Sequence, residues 1–451
     1  MEDRPSDAGT PTELQEPPLS TELEEDETAA PESAADVAIA PEVLANSLGE
    51  YIKAWWIRVK SGESGTLPIV AGLVVIIIFF QAERSQFDSA QNLVNLFQQS
   101  SIYVLLGAAQ LFALILSEID LSVGWVLGIG GFVIAELIAS PDNFPWWVAI
   151  IAGLAATSAI GYLQGSVITR LHVPSFVVTL AGLLIWEGVV IVLANSYKSA
   201  VGGVQSVSPS SPVYHLVNTN MSTSLGWIVL AVLLGIFAAV KLTSAARRRS
   251  QGLSTPPLSV TLLQLAATTV GGVLLVYVCN KDRSSGVIPL KGIPWVIPFI
   301  GLVIFIYSIF LGRTRTGRYM YAIGANPEAA RRAGIKVQRV RRIAFTLSAM
   351  TAGIAGLVYA SFLGSISTDV PGGNYTLYAV AAAVIGGASL FGGRGKPVHA
   401  LLGGLVIGIV FNGLALMGIS AQGQFIASGI VLLIAATVDS LIRNRGSAGA
   451  L

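Results

Sequence analysis

The residues of this chain that could do chemistry are few, and the charged ones sit in apolar surroundings. Glu118-Ile119-Asp120-Leu121-Ser122-Val123-Gly124 lies at a break between two apolar stretches, and Glu136 and Glu187 lie inside two others. An ionisable group at membrane depth is costly unless a partner or a water-filled cavity receives it, so these carboxylates point to function, Asp120 as a cavity-lining group or a cap on the third span, Glu187 in packing or gating more than in substrate contact. No nucleophile–base set accompanies them. The histidines, His172, His215 and His399, are scattered, which suits structural or loop-lining places rather than catalysis. The single cysteine, Cys279, excludes an intramolecular disulfide and a cysteine-cluster metal site. Gly395-Lys396 is followed by Pro397 instead of Ser or Thr, and no phosphate-cradling pattern occurs elsewhere, so the chain is not expected to hydrolyse ATP.

The elements that must position these groups are membrane helices. The 451 residues are 53% hydrophobic and 12% charged, with a mean hydropathy of +0.69, which defines an all-α polytopic membrane protein. Apolar segments of spanning length predict about twelve transmembrane helices, at 67–81, 91–117, 120–139, 146–168, 175–194, 225–242, 258–279, 293–312, 343–363, 375–391, 398–418 and 424–442. The 67–81 and 375–391 segments are short enough to be partly re-entrant. With both termini cytoplasmic, 22 of the 27 Lys and Arg residues fall inside and five outside: Arg84, Lys198, Lys281, Arg283 and Lys291. Gly124/Gly128, Ala352/Gly356 and Gly404/Gly408 are small-residue pairs at the spacing that lets helices approach closely. Flanking this membrane region (67–442) are an acidic tail, 1–46, expected to be disordered, and a short C-terminal tail, 443–451. The first 50 residues hold 14 acidic residues and one basic, leaving 26 basic against 12 acidic, a net +14, in the other 401. Residues 47–60 carry Leu48, Ile52, Trp55, Trp56 and Val59 on one helical face amid Lys and Arg, the pattern of an interfacial amphipathic helix.

The most organised polar stretch is the basic segment 313–342. Asn326 is a good N-cap, Pro327 suits the first helical position and Glu328 lies in the first turn, where the helix dipole favours an anion. Ala329, Ala330 and Ala333 give a smooth small-residue face, and Gly334 stands where a C′ glycine ends a helix. The product is a short helix of about two turns at the membrane surface, sized for a partner's groove.

Glu328-Ala329-Ala330 followed by Gly334 resembles the EAA coupling loop of ABC-importer permease subunits. Gly317-Arg318-Tyr319 and Ala322-Ile323-Gly324-Ala325-Asn326 are similar to the ribose/xylose branch of that family. Three more strings carry the resemblance across most of 105–442: the one ending Ile119–Gly124, Val173-Pro174-Ser175-Phe176 with Thr179-Leu180, and Ala383–Gly395. Glu118 stands where the family more often has small or neutral residues, and Glu187 where many relatives carry a basic one. The pair of segments 225–242 and 258–279 looks more like the xylose type than the shorter ribose type.

The resemblance implies a permease subunit of a binding-protein-dependent importer of a neutral monosaccharide, probable cargo a pentose such as xylose, in the bacterial inner membrane. It implies partners: two ATPase subunits that grip the coupling helix, a periplasmic or lipid-anchored sugar-binding protein, a second permease copy and membrane lipid, with no nucleic acid. ATP and Mg would be bound by the ATPase and no cofactor by this chain. The coupling residues expected are Gly324, Asn326, Glu328, Ala329, Ala330 and Gly334. The candidate path-lining groups are Asn92, Asn95, Gln110, Asp120, Ser122, Asn374, Tyr375 and Asn412, mostly neutral hydrogen-bonders suited to hydroxyl-rich cargo. Polar residues in spans also serve as glue between helices. The rival expectation is an ion-coupled secondary transporter working through Glu118, Asp120, Glu136 or Glu187.

Overall fold

The computed structural model describes residues 49, 50, 53, 67–139, 142–196, 202–252, 257–284, 286, 288–430, 433 and 437. The expected acidic tail and C-terminal tail lie outside these residues, as does most of the expected interfacial helix. The described elements run α1 (Leu67–Glu83), α2 (Ala90–Leu114), α3 (Val123–Ile138), α4 (Trp146–Arg170), α5 (Ser175–Ser196), β1 (Val204–Ser206), α6 (Pro212–Asn218), α7 (Thr223–Ser250) and α8 (Leu258–Asn280). They continue with α9 (Val296–Arg313), α10 (Arg315–Ala325), α11 (Pro327–Arg332), α12 (Val337–Leu363), β2 (Ser365–Ser367), α13 (Gly372–Ile385) and α14 (Pro397–Leu416). Residues 421–430 are helical as well.

Local chemistry starts and stops these helices. Ser89 Oγ accepts from Asn92 N at 3.2 Å to cap α2, Ser211 Oγ accepts from Val213 N at 3.2 Å to cap α6, and Ser222 Oγ accepts from Leu225 N at 3.3 Å to cap α7. Pro212, Pro327 and Pro397 occupy first-turn positions, where a missing N–H costs nothing. The two strands pair antiparallel with Val204 opposite Ser367 and Ser206 opposite Ser365, joining the segment after α5 to the end of α12.

The centre of the bundle is α2, α3 and α12. α12 packs on α2, α3 and α4, and α2 also packs on α13 and α14. In the most apolar window of α12, 72% of residues are buried, against 6% for α7, which with α8 forms a hairpin at the periphery. Because lipid is as apolar as the side chains, helices associate here through close packing rather than water exclusion. The small-residue pairs supply it. A methyl added at Gly124 would lie 1.8 Å from the Gly372 carbonyl oxygen, one at Gly356 2.2 Å from that of Leu127, and one at Gly404 2.5 Å from the Val104 nitrogen.

Among the described residues seven helices, α4, α5, α7, α8, α9, α12 and α14, are long and apolar enough to cross a membrane, so the chain is a multi-pass membrane protein. Seven of the twelve expected spans coincide with these helices. α1 and α3 are apolar but only 17 and 16 residues long. At 1.5 Å per residue α3 covers about 24 Å, less than the roughly 30 Å of a hydrocarbon core. α13 has 14 residues and ends at Ile385, so 375–391 is a short helix followed by a glycine-rich loop. α2 is 25 residues long but begins with a polar half, AQNLVNLFQQSS. Of these, α2, α3 and α13 are packed among other helices of the bundle, which frees them from matching the lipid in length or polarity. The last expected span, 424–442, is described only to 430 and at 433 and 437.

Candidate functional site

The polar groups of the bundle gather where α2 gives way to α3. Helix α2 ends with Glu118 N donating to Ala113 O at 3.1 Å and Ser117 N donating to Leu114 O at 2.9 Å. This is a Schellman ending, and it puts Ser117 at the left-handed position usually held by glycine, with φ +63°. Such a residue costs about 1–2 kcal/mol relative to glycine. In return, Ser117 Oγ reaches the Phe391 carbonyl at 2.7 Å, in the loop after α13.

Asp120 is fully buried and accepts three hydrogen bonds. Oδ1 receives Ser122 N at 3.0 Å and Ser122 Oγ at 2.6 Å, and Oδ2 receives Ser348 Oγ of α12 at 2.9 Å. With its amide nitrogen facing the Asp120 carbonyl, Gln110 of α2 donates there at 2.9 Å while its oxygen accepts from Asp120 N at 3.1 Å. Ser122 Oγ also lies 3.2 Å from Oε1 of Gln164 in α4. Thr179 of α5 reaches the Ile119 carbonyl at 3.3 Å, and Thr376 of α13 reaches that of Leu121 at 3.2 Å while accepting from Gly124 N at 3.1 Å. Side chains from five helices thus bond to this stretch of non-helical chain, the condition under which such backbone survives at membrane depth. Among the described residues no cation pairs with Asp120; hydroxyls and amides balance it. Glu118, two residues earlier, does pair with a cation, Arg341 of α12.

The basic segment abuts the same break. Helix α10 is capped by Thr314 Oγ1, which accepts from Gly317 N at 3.0 Å, and it buries Gly317, Met320, Ile323 and Gly324 while Arg315 and Arg318 face outward. Gly324 is where the break touches it: an added methyl there would lie 1.7 Å from the Ile115 carbonyl oxygen. That same oxygen accepts from Gly393 N at 2.9 Å, and Tyr321 Oη donates to the Gly395 carbonyl at 2.6 Å, so the glycine-rich loop closes the junction. Asn326 Oδ1 accepts from Glu328 N at 3.0 Å and Ala329 N at 2.9 Å, capping α11. Gly334, at φ +81°, ends it, with Ile335 N bonded to Ala330 O at 3.1 Å. Ala330 packs inward, whereas Asn326, Glu328 and Ala329 are exposed.

The candidate path residues fall into three places. Gln110, Asp120 and Ser122 belong to the buried network. Asn92 and Asn412 exchange a reciprocal pair of amide hydrogen bonds, both 2.9 Å, that ties α2 to α14. Asn95 is exposed on α2, and Asn374 and Tyr375 are partly exposed in the first turn of α13, where the Tyr375 ring lies 5.7 Å from Tyr359 and 6.0 Å from Tyr103. The eight are therefore not one continuous lining. A double-mutant cycle of Asn92→Ala and Asn412→Ala, followed by thermal unfolding in detergent, is expected to return a coupling of about 0.6–1.7 kcal/mol. Additive single effects would remove the pair's role as glue.

Of the remaining carboxylates, Glu136 is buried in α3 and Glu187 is partly exposed on α5. Among the described residues no group of three or more His, Cys, Asp or Glu is placed to hold a metal ion. Sequence reasoning missed Ser117, Gln164, Arg341, Ser348 and Thr376. Gln164 and Ser348 carry a weak signal, as polar side chains in apolar helices. Ser117 carries none, since nothing marks it as left-handed.

A bundle of apolar helices around a satisfied intramembrane break, with an exposed capped helix at its basic end, is the architecture of a membrane permease component. The chain belongs to the family described as branched-chain amino acid transport system / permease component, whose model matches residues 92–436. It is 32% identical over 388 residues to the xylose transport system permease protein XylH of Escherichia coli, covering 86% of this chain and 94% of that one. It is 29% identical over 390 residues to the ribose import permease protein RbsC of Escherichia coli, covering 86% and 96%. The fructose import permease protein FrcC of Rhizobium meliloti is 27% identical over 381 residues, covering 84% and 86%. No solved structure matches the chain.

Proposed function

We propose that the chain is the permease subunit of a binding-protein-dependent ABC importer that carries a neutral monosaccharide of the xylose or ribose type. The observation that carries this reading is the exposed, doubly capped α11 with Glu328 at its start, joined through Gly324 to the break at Ile115. Such a helix offers a partner ATPase a grip, and its neighbour gives the movement a route into the bundle. ATP binding brings two ATPase subunits together, two copies of α11 move with them, and the path between two permease copies switches its open side. The N-terminus, the basic segment and the C-terminus then share the cytoplasmic side of the inner membrane, and the β1–β2 pair faces the binding protein.

Cargo follows from similar reasoning. Amino acids would call for fixed charges to meet their termini, but Glu118 and Asp120 are occupied by Arg341 and by hydroxyls. The three relatives compared above are named for sugars: xylose, ribose and fructose. The same occupancy counts against an ion-coupled carrier working through these two carboxylates.

Proteoliposomes holding the chain, candidate ATPase subunits and a sugar-binding protein are expected to accumulate labelled xylose only with ATP, whether or not ionophores are present. Uptake without ATP that collapses with an ion gradient would overturn the reading.

A further inference from the structure

Glu118 is 6% exposed, yet only one of its carboxylate oxygens has a partner. That partner is the guanidinium Nε of Arg341, whose side chain is one-third exposed, at 33%. Replacing a buried ion pair with packed apolar residues is often neutral or stabilising, so a half-satisfied carboxylate is a poor way to hold a fold together. Asp120 already holds the break, with three donors. The Glu118 contact is a second, separate tie on the same break.

Its position suggests why it is there. Arg341 lies in the second turn of α12, whose first residue, Val337, follows Gly334 after a two-residue connection. Ser348, which grips Asp120, lies seven residues beyond Arg341, two turns along the same face of α12. One face of α12 therefore holds two points of the break, one by hydroxyl in the interior and one by charge at the edge. The basic segment meets the break a third time at Gly324 and Ile115. Any displacement of α11 relative to the bundle reaches α12 through the four residues 333–336.

We infer that the Glu118–Arg341 ion pair is a positioning contact that transmits movement of the coupling helix, through α12, to the 115–122 break. This rests on the importer reading of the same segment. The pair stays closed through the cycle and makes α12 and the break move as one body. Without it, the α11–α12 unit moves while the break lags, and ATP is hydrolysed without sugar being carried.

The test uses the full complex of permease, ATPase subunits and binding protein in proteoliposomes, with labelled xylose uptake and phosphate release measured on the same vesicles. Glu118→Gln and Arg341→Met are expected to lower the sugar carried per ATP about tenfold, equivalent to about 1.4 kcal/mol of lost coupling, with hydrolysis within about twofold of wild type. The double charge exchange, Glu118→Arg with Arg341→Glu, is expected to recover much of the ratio. A paired apolar replacement, Glu118→Leu with Arg341→Met, guards against misfolding: it should keep the melting temperature and still uncouple. A normal sugar-to-ATP ratio in that double variant, or uptake and hydrolysis falling together in the single ones, overturns the inference. Failure of the importer reading is distinguishable, because it shows in the wild type as uptake indifferent to ATP; it overturns the inference as well.

Discussion

Asp120→Leu is expected to leave little or no folded protein, whereas Asp120→Asn is expected to fold nearly as well as the natural chain. Among the described residues the carboxylate is the only acceptor for Ser122 N, and it receives the hydroxyls of Ser122 and Ser348. Leucine would strand Ser122 N and Ser348 Oγ inside the bundle and leave Ser122 Oγ only its contact with Gln164 Oε1. A buried unsatisfied donor costs about 1–3 kcal/mol, and hydroxyls recover part of that by turning to a carbonyl of their own helix, as Thr179 and Thr376 do here. A loss on the order of 3–5 kcal/mol remains, comparable with the whole stability of a marginal protein. Asparagine keeps one oxygen for Ser122 and turns its NH2 to Ser348 Oγ, which can accept, so its cost is about 1 kcal/mol or less. Yield of monodisperse protein and thermal unfolding in detergent check both variants. A leucine variant as stable as wild type would show that the break does not depend on its carboxylate. Sugar uptake by the asparagine variant then separates two roles. Normal uptake leaves Asp120 as a structural acceptor, while lost uptake with normal stability makes it a path residue.

How much of this was legible in the sequence depended on how far apart the partners lie. The α11 helix is written in nine consecutive residues: Asn326 caps, Pro327 starts, Glu328 answers the dipole and Gly334 stops, and each bonds within its own turn. The break at Glu118–Ser122 was legible for the same reason, since its polar residues interrupt two apolar runs. Its closure was not. Glu118 finds Arg341 across 223 residues, and Asn92 finds Asn412 across 320, distances over which no spacing rule operates.

Apolarity also misplaced helix ends. The expected span at 343–363 begins six residues earlier, at Val337, because a helix can start in water with Gln338, Arg339, Arg341 and Arg342 along its first turns. Hydropathy finds the part of a helix that meets lipid or core and misses the part that does not. For α2 the error has the opposite sign: it reads as a span by length, yet its polar half is tolerable only because other helices cover it. That half includes Asn92, whose pairing with Asn412 is invisible until α14 is set beside it.

Glu328→Lys is expected to release the ATPase subunits while leaving the permease folded. The fold has little at stake in this residue. Glu328 is exposed, with side-chain exposure of 56%, and its contacts are Arg331 at 3.3 Å and Arg332 at 3.5 Å, both within α11. Surface pairs of this kind are worth about 0.3–0.5 kcal/mol each. A cation in the first turn opposes the helix dipole by about 0.3–1 kcal/mol more. Asn326 still caps α11 and Gly334 still ends it, so the helix should persist. The docking surface, by contrast, loses its one acidic group among Arg331 and Arg332 and gains a third cation in one turn, the kind of like-charge change that costs an interface several kcal/mol. At 1.4 kcal/mol per factor of ten, a loss of about 3 kcal/mol weakens the complex more than a hundredfold. Co-purification of tagged chain with candidate ATPase subunits should therefore succeed for wild type and fail for Glu328→Lys, with equal permease yield and melting temperature. Equal recovery of the ATPase by both forms would remove α11 as the grip. Loss of the ATPase together with loss of folded permease would instead make Glu328 a structural residue, against the smallness of its contacts.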